Sequence, residues 1–156
     1  MDVRTIQTPV GLLQLCATDT ALTAVHLNAK GRPDRGRATG VLSETEQQIS
    51  AYFAEKLKTF DLPLALTGTP FQCEAWNELR HIPFGETCTY ADIAELIDRP
   101  TAVRAVGAAN GQNPIPLVIP CHRVIGKDGS LTGFGGGIKM KAWLLAHESE
   151  QPRLGF

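Results

Sequence analysis

Long apolar runs are missing from this 156-residue chain. None approaches the roughly 20 residues that a membrane-spanning helix requires. The opening Met1-Asp2-Val3-Arg4-Thr5 has neither the basic nor the apolar region of a secretory signal. A soluble, cytoplasmic protein with no membrane partner is therefore expected. Cysteine is scarce. Cys16, Cys73, Cys88 and Cys121 form no C-x-x-C pair, which without an export signal argues against a disulfide framework. Cys16, Cys73 and Cys88 follow apolar patterns and read as small buried hydrophobes. Clustered metal ligands are lacking too. Cys16 and His26 are too isolated to mark a zinc site, so no metal and no other cofactor is expected. Nor does one sign of charge dominate: 15 Lys and Arg against 16 Asp and Glu leave a net charge of −1, with no global attraction for nucleic acid. The distribution is less even. From Arg99 to Lys141 the chain carries Arg99, Arg104, Arg123, Lys127, Lys139 and Lys141 against a single acid, Asp128. Such a face can bind phosphate, although charge alone favours an ordinary solvated surface.

What is present fits one compact domain or two small subdomains, with an apolar fraction of 43% sufficient for a core. Residues 3–29 read as strands. Thr8-Pro9-Val10-Gly11 makes a turn between Val3–Gln7 and the alternating Leu13-Gln14-Leu15, and Ala21–Leu27 continues the pattern, so a small antiparallel meander is expected. Asn28–Gly40, rich in Gly, Arg and Asp, reads as an exposed loop. Ser43-Glu44-Thr45-Glu46 has the form of a capping box and predicts a helix to about Leu57, with Ile49, Tyr52, Phe53 and Leu57 as its apolar stripe. Phe60–Leu66 reads as a strand or extended link. Gly68 then marks the boundary between a subdomain over residues 1–67 and a second over residues 68–156.

The second part is mainly helical. Thr69-Pro70-Phe71-Gln72 supplies an N-cap, a first-turn proline and a capping glutamine. Phe71, Ala75, Trp76, Leu79 and Ile82 then face a core, and Pro83-Phe84-Gly85 ends the helix. Thr89-Tyr90-Ala91-Asp92 opens the next, with Ile93, Leu96 and Ile97 inward, and it stops at Asp98-Arg99-Pro100. Thr101 is the expected cap of a third helix over Ala102–Asn110. Two short helices joined by a three- or four-residue turn, the second crowded with small residues, fit a helix-turn-helix as well as they fit a plain helical hairpin. A last helix runs from about Ile138 to Glu148, with Met140, Trp143, Leu144 and Leu145 apolar.

Chemistry concentrates at Pro120-Cys121-His122-Arg123, set between apolar runs. A cysteine reacts as its thiolate and needs a base or a lowered pKa. His122 is adjacent, yet neighbours in an extended strand point to opposite faces. A Cys121–His122 partnership therefore requires a bent backbone or an intervening water, and Pro116 and Pro120 make such a departure plausible. A histidine base is usually held by a third group. Glu148 is the candidate: a carboxylate at a helix C-terminus opposes the helix dipole at a cost of roughly 0.3–1 kcal/mol unless a partner compensates. On the residues alone a solvated helix end is the simpler account of it. A papain-like protease is excluded, because its signatures are absent.

Taken together, these residues resemble the methylated-DNA–protein-cysteine S-methyltransferases, the O6-alkylguanine-DNA alkyltransferase family. Pro120-Cys121-His122-Arg123-Val124 is the strongest match. Thr69-Pro70-Phe71-Gln72, Ile82-Pro83-Phe84-Gly85-Glu86-Thr87, Arg99-Pro100, Ala102-Val103-Arg104-Ala105-Val106-Gly107, Ala109-Asn110, Asn113-Pro114, Leu131-Thr132-Gly133 and Leu144-Leu145-Ala146-His147-Glu148 support it. The match runs in order from about residue 69 to 150, and the N-terminal part fits loosely. The resemblance implies an α/β protein: a small ribonuclease-H-like sheet-and-helix subdomain, then a mainly helical, winged-helix-like subdomain. It implies Cys121 as nucleophile and alkyl acceptor, His122 as base through a water, Glu148 orienting His122, and Asn113 bracing the turn. Tyr90 would stand by the target phosphate and donate to the departing guanine. Arg104 would be an arginine finger replacing a flipped nucleotide, with Thr101, Ala105, Gly107, Ala109 and Arg123 also on DNA. The backbone of Cys121 and Val124 would hold the base amine, and Pro116, Val124, Phe134, Gly135 and Gly136 would form the pocket.

The implied partner is double-stranded DNA carrying O6-alkylguanine, and O4-alkylthymine is a further possible substrate. The implied protein is a monomer that reacts once. Phe134 stands where tyrosine is common, and Asp98 where a glycine often ends the helix. Neither the zinc ligands of some relatives nor the extra N-terminal domain of regulatory ones is recognisable, so transcriptional control is not expected. The alternative is a non-catalytic alkyltransferase-like lesion-binding protein. Such relatives replace the acceptor cysteine, so Cys121 favours the enzyme. A turning-over cysteine hydrolase is a third reading.

Overall fold

Apolar residues at period two on three successive segments leave each strand one face to bury. Ile6, Leu13, Leu15, Leu22 and Val25 fill that face. They lie on β1 (Asp2–Thr8), β2 (Gly11–Ala17) and β3 (Leu22–His26), which form an antiparallel sheet in the order β1-β2-β3. Pro9 and Val10 make the first turn. The Thr8 hydroxyl donates to Gly11 O at 2.7 Å and accepts from Val10 N–H at 3.2 Å, and Gly11 takes φ +106, open to glycine and unfavourable to other residues. The structure, a computed structural model, describes residues 2–34, 36 and 40–149. It divides into two units, one reaching Thr67 and taking back Pro114–Val118, the other holding Gly68–Asn113 and the chain from Ile119. A boundary read at Gly68 alone does not provide for that return, which is tied by Val25 N–H donating to Pro114 O at 3.0 Å.

In the first unit α1 (Gly40–Phe53) packs on β1 and β2. It corrects the expected capping box. Ser43 lies inside the helix, and the Thr45 hydroxyl donates to Val41 O at 2.7 Å, an i→i−4 contact that needs residues 41–45 already helical. The helix stops at Phe53, and Phe53 and Leu57 are half-buried, so the inner stripe is Leu42, Thr45, Gln48, Ile49 and Tyr52. Gln48 fixes the following segment by exchanging two 2.9 Å bonds with the Asp61 backbone. Phe60–Leu66 is an extended link with a single bridge, Leu22 to Leu64, and not a full strand. Part of the expected Asn28–Gly40 loop, residues 35 and 37–39, lies outside the described residues; Gly40 is helical.

In the second unit α2 (Pro70–Leu79) starts as its sequence requires. Thr69 Oγ1 accepts from Gln72 N–H at 3.1 Å, and Gln72 Oε1 accepts from Thr69 N–H at 2.9 Å. A Cβ at Gly68 would stand 2.6 Å from the Trp76 ring, so this position needs glycine for close packing. The buried Trp76 indole donates to Ala109 O at 2.8 Å, tying α2 to α4 (Val103–Gly111). Between them α3 (Tyr90–Leu96) begins with a Thr89–Asp92 capping box. Leu96 is 61% exposed, against the inward reading; Ile93, Ala94 and Ile97 face the core. Asp98 turns the chain with φ +62. The connection spans residues 97–102, longer than the turn expected. Thr101 does not cap α4: Ala102 holds that position without a side-chain bond.

Two short strands, β4 (Cys88–Thr89) and β5 (Val124–Ile125), pair in parallel. Finally α5 (Ile138–Ser149) buries Met140, Lys141, Leu144 and Glu148, while Trp143 is 38% exposed and stacks on His147. The fold class is α/β, with the three-stranded sheet in one unit and most of the described helices in the other. Among the described residues no helix is long and apolar enough to cross a membrane.

Candidate active site

The bend demanded by the Cys121–His122 adjacency is present. Cys121–Arg123 is one 3-10 turn, entered through Pro120 at ψ 63. Cys121 N–H donates to Ile119 O at 2.7 Å, Arg123 N–H to Pro120 O at 3.0 Å, and Val124 N–H to Cys121 O. Two amides from the end of α4 and the residues after it hold the turn. Asn113 Nδ2 donates to Ile119 O at 2.8 Å and Asn110 Nδ2 to Cys121 O at 3.3 Å. Asn113 also hydrogen-bonds the Cys121 side chain. Burial pushes the Cys121 thiol up to about 11, against the opposing pulls of Asn113, the Lys141 charge and its own backbone. A thiol raised in this way is protonated at pH 7, so a proton acceptor is required.

His122 is fully buried. Its Nε2 lies 2.7 Å from Glu148 Oε2. An ionised carboxylate only accepts, so Nε2 carries the hydrogen and Nδ1 presents a lone pair. That Nδ1 has no hydrogen-bond partner among the described residues. Arg123 grips the same carboxylate with two bonds, Nε to Oε1 at 2.8 Å and Nη2 to Oε2 at 3.0 Å. Its Nη1 donates to Ile82 O at 2.7 Å, and the guanidinium lies over the Phe84 ring. Burial alone would raise the Glu148 pKa, but the hydrogen bonds and charges of His122 and Arg123 outweigh it and hold the group well below the usual carboxylate range. Burial also lowers His122, against the pull of Glu148. The imidazole is therefore neutral at rest and able to accept a proton.

Arg123 and Lys141 are corrections to the sequence reading. The charge pattern puts both on a basic face and the resemblance puts Arg123 on DNA, but Arg123 is 5% exposed and committed to Glu148, while Lys141 is fully buried. Lys141 Nζ donates to Thr132 O at 2.8 Å, and the Tyr90 hydroxyl donates to the same oxygen at 3.1 Å. Lys141 sits 6.0 Å from the Tyr90 ring centroid. A signal for it was available: Lys141, Leu144 and Glu148 recur at i, i+3 and i+7 on one helical face. Ile82, Phe84, Asn110 and Thr132 likewise join the site without having been singled out for it.

Of the remaining residues, Thr101, Arg104 and Ala105 are exposed, Thr101 just before α4 and the other two on it, and Gly107 is half-buried. Ala109 is not on that surface: it is 2% exposed and its carbonyl takes the Trp76 bond, which corrects its assignment to DNA. Val124 is buried on β5, Phe134 is nearly so, Gly135 is exposed and Gly136 half-buried. Pro116 belongs to the first unit. Cys16 is buried as expected, whereas Cys73 and Cys88 are only half-buried.

Fold and site together define a two-unit α/β protein in which the buried Cys121 stands on a bend beside a histidine–carboxylate–arginine cluster. The sequence model of the 6-O-methylguanine DNA methyltransferase DNA-binding domain matches residues 70–150, and that of the ribonuclease-like domain of the same proteins matches residues 1–66. The Mycolicibacterium paratuberculosis methylated-DNA–protein-cysteine methyltransferase is 45% identical over 155 residues, covering 95% of this chain and 92% of the relative. The constitutive Bacillus subtilis enzyme of that name is 43% identical, covering 90% and 91%. The crystal structure of Mycobacterium tuberculosis OGT in complex with DNA superposes with a TM-score of 0.85 at 46% identity, covering 93% of this chain and 91% of that one. The chain belongs to the 6-O-methylguanine DNA methyltransferase family.

Proposed function

We propose that this protein repairs DNA by direct reversal of damage, transferring an alkyl group from O6 of guanine in double-stranded DNA to Cys121 in one irreversible step. It is a methylated-DNA–protein-cysteine methyltransferase. The observation that carries the reading is the buried Cys121 on its bend beside the neutral, oriented His122. The Cys121 proton passes through a water to the free Nδ1 of His122, and Glu148 stabilises the resulting imidazolium. The thiolate attacks the alkyl carbon in line, the carbon–oxygen bond breaks, and guanine leaves with the electron pair, taking a proton or hydrogen bond from the Tyr90 hydroxyl. The product is a thioether with no good leaving group, so the protein is consumed.

A base inside a duplex is out of reach, so the nucleotide is flipped, at a cost of a few kcal/mol. Arg104, exposed on α4, fills the gap, and Thr101, Ala105 and Gly107 approach the minor groove. Val124, Phe134, Gly135 and Gly136 receive the base, Phe134 without a hydroxyl. Asn113 keeps the turn in shape, and the protein acts as a monomer. Intact mass measurement after incubation with excess O6-methylguanine duplex tests this. One added methyl group, mapped to Cys121 and lost in Cys121→Ala, is expected. Binding with no adduct indicates the lesion-binding alternative, repeated turnover with unmodified protein indicates a hydrolase, and either result sinks the proposal.

A further inference from the structure

Lys141 holds one short segment at both ends. Its backbone N–H donates to Gly137 O at 3.1 Å and its Nζ to Thr132 O at 2.8 Å. Residues 132–137 carry Phe134, Gly135 and Gly136, which receive the base in the function proposed above. Gly133 at φ +58 and Gly137 at φ +98 bend the segment, and Gly137 N–H closes it on Phe134 O at 3.0 Å. The lysine is fully buried and has no ion-pair partner among the described residues. Burying an amine is costly, and a methionine would fill the same space, so packing alone does not account for it. Thr132 O accepts a second bond, from the Tyr90 hydroxyl at 3.1 Å, and Thr132 Oγ1 lies 3.5 Å from that hydroxyl. A Cβ on Gly133 would stand 3.7 Å from the Tyr90 oxygen, so the hydroxyl lies against the start of the segment. Two donors thus meet on one carbonyl, whose two lone pairs take both.

We propose that Lys141 is a positioning residue for Tyr90: by holding Thr132 O and Gly137 O itself, it leaves the tyrosine hydroxyl free to turn from Thr132 O to the departing guanine. The inference rests on the function proposed above and adds a residue to it. A phenol has one hydrogen to give. In the free protein that hydrogen lies on Thr132 O, and in the reaction it is needed at the base. Without the lysine, Tyr90 would be the remaining donor to Thr132 O among the described residues. Turning away would then strip that carbonyl of its bond just where entry of the base excludes water. With the lysine in place the carbonyl keeps its shorter bond. The exchange moves one hydrogen bond and changes no covalent bond. As the carbon–oxygen bond of the lesion breaks, the electron pair goes to guanine and Tyr90 donates its hydrogen bond there. Burial lowers the Lys141 pKa, and the role holds in either protonation state, since ammonium and neutral amine both carry N–H groups.

A double-mutant cycle tests this. Single-turnover methyl transfer from O6-methylguanine duplex is timed for the wild type, Lys141→Met, Tyr90→Phe and the double variant. Each single change is expected to slow transfer about tenfold, the worth of one hydrogen bond. The double variant is expected to stay within about twofold of Tyr90→Phe, because the lysine acts through the hydroxyl. A lysine that only supports the fold would give losses that multiply; that result overturns the proposal, as does wild-type transfer by Lys141→Met. Methylation of Cys121 by iodomethane, whose iodide leaves without a hydrogen-bond donor, is the second readout. Its rate is expected to stay within about twofold of wild type in all three variants. A loss there as large as the loss on DNA means that the thiol or its turn was disturbed, and also overturns the proposal. A third measurement keeps the lysine in place. In Tyr90→Phe, hydrogen exchange at the Gly137 and Lys141 amides is expected to match the wild type, since the lysine still holds both ends of the segment. Lost protection there gives the segment to the tyrosine and overturns the proposal. A wild-type protein that takes methyl from iodomethane but never from DNA overturns the function instead.

Discussion

Arg123 shows how far a residue's role departs from its type. On the surface an arginine beside an active-site histidine would touch phosphate; buried, it fixes both oxygens of Glu148 and so decides how His122 is held. Removing one member of a buried pair leaves the other uncompensated, at about 3–5 kcal/mol. Arg123→Met is therefore expected to lose stability of that order in urea denaturation. Its DNA affinity, measured at a pH and temperature where the variant stays folded, should be nearly unchanged. A DNA-contacting arginine would give the opposite pattern, weaker binding at unaltered stability. The same reasoning separates Ala109, buried with its carbonyl serving Trp76, from Ala105, which is exposed.

At the scale of elements, helix starts were legible where side chain and backbone cap each other within four residues. Thr69–Gln72 and Thr89–Asp92 close such boxes. Ser43–Glu46 has the same letters but lies inside α1, because upstream residues were already recruited to cover the sheet. A cap pattern states what can start a helix, and packing decides whether it does. Thr69→Ala is expected to cost about 1 kcal/mol by denaturant unfolding, and Thr69→Ser close to nothing. A Thr69→Ala protein as stable as the wild type would show that the box is incidental to α2.

Over the whole molecule, two buried groups set the response to acid. His122, ordinarily 6.5, is held lower by burial against the pull of Glu148. Between its folded value and 6.5 the unfolded chain binds a proton that the folded chain refuses, so stability is lost as pH falls below about 6.5. Glu148, ordinarily 4.5, is held lower, so its contribution is complete above that value and is lost as pH falls below it. Tm is expected to decline in two stages on acidification, the first removed in His122→Asn. A flat Tm from pH 7 to 5 would show that His122 is not kept neutral by the fold.

The sequence by itself determined the meander, through period-two apolar residues, and the starts of α2 and α3, through local capping. It also singled out Cys121 and His122, since a cysteine and a histidine directly after a proline, between two apolar runs, are chemically able residues in a bent segment. These signals are local. Whether Glu148 is a solvated helix end or the partner of His122, and whether Arg123 and Lys141 face water or the interior, depended on which face of α5 meets the Cys121–Arg123 turn. Charge counts carry no such information, because an ion's role is set by its burial and its partners. Only the tertiary structure brought residues 82, 122, 123 and 148 onto one carboxylate-centred cluster. Burial of that cluster makes each charge in it count for more than it would in water.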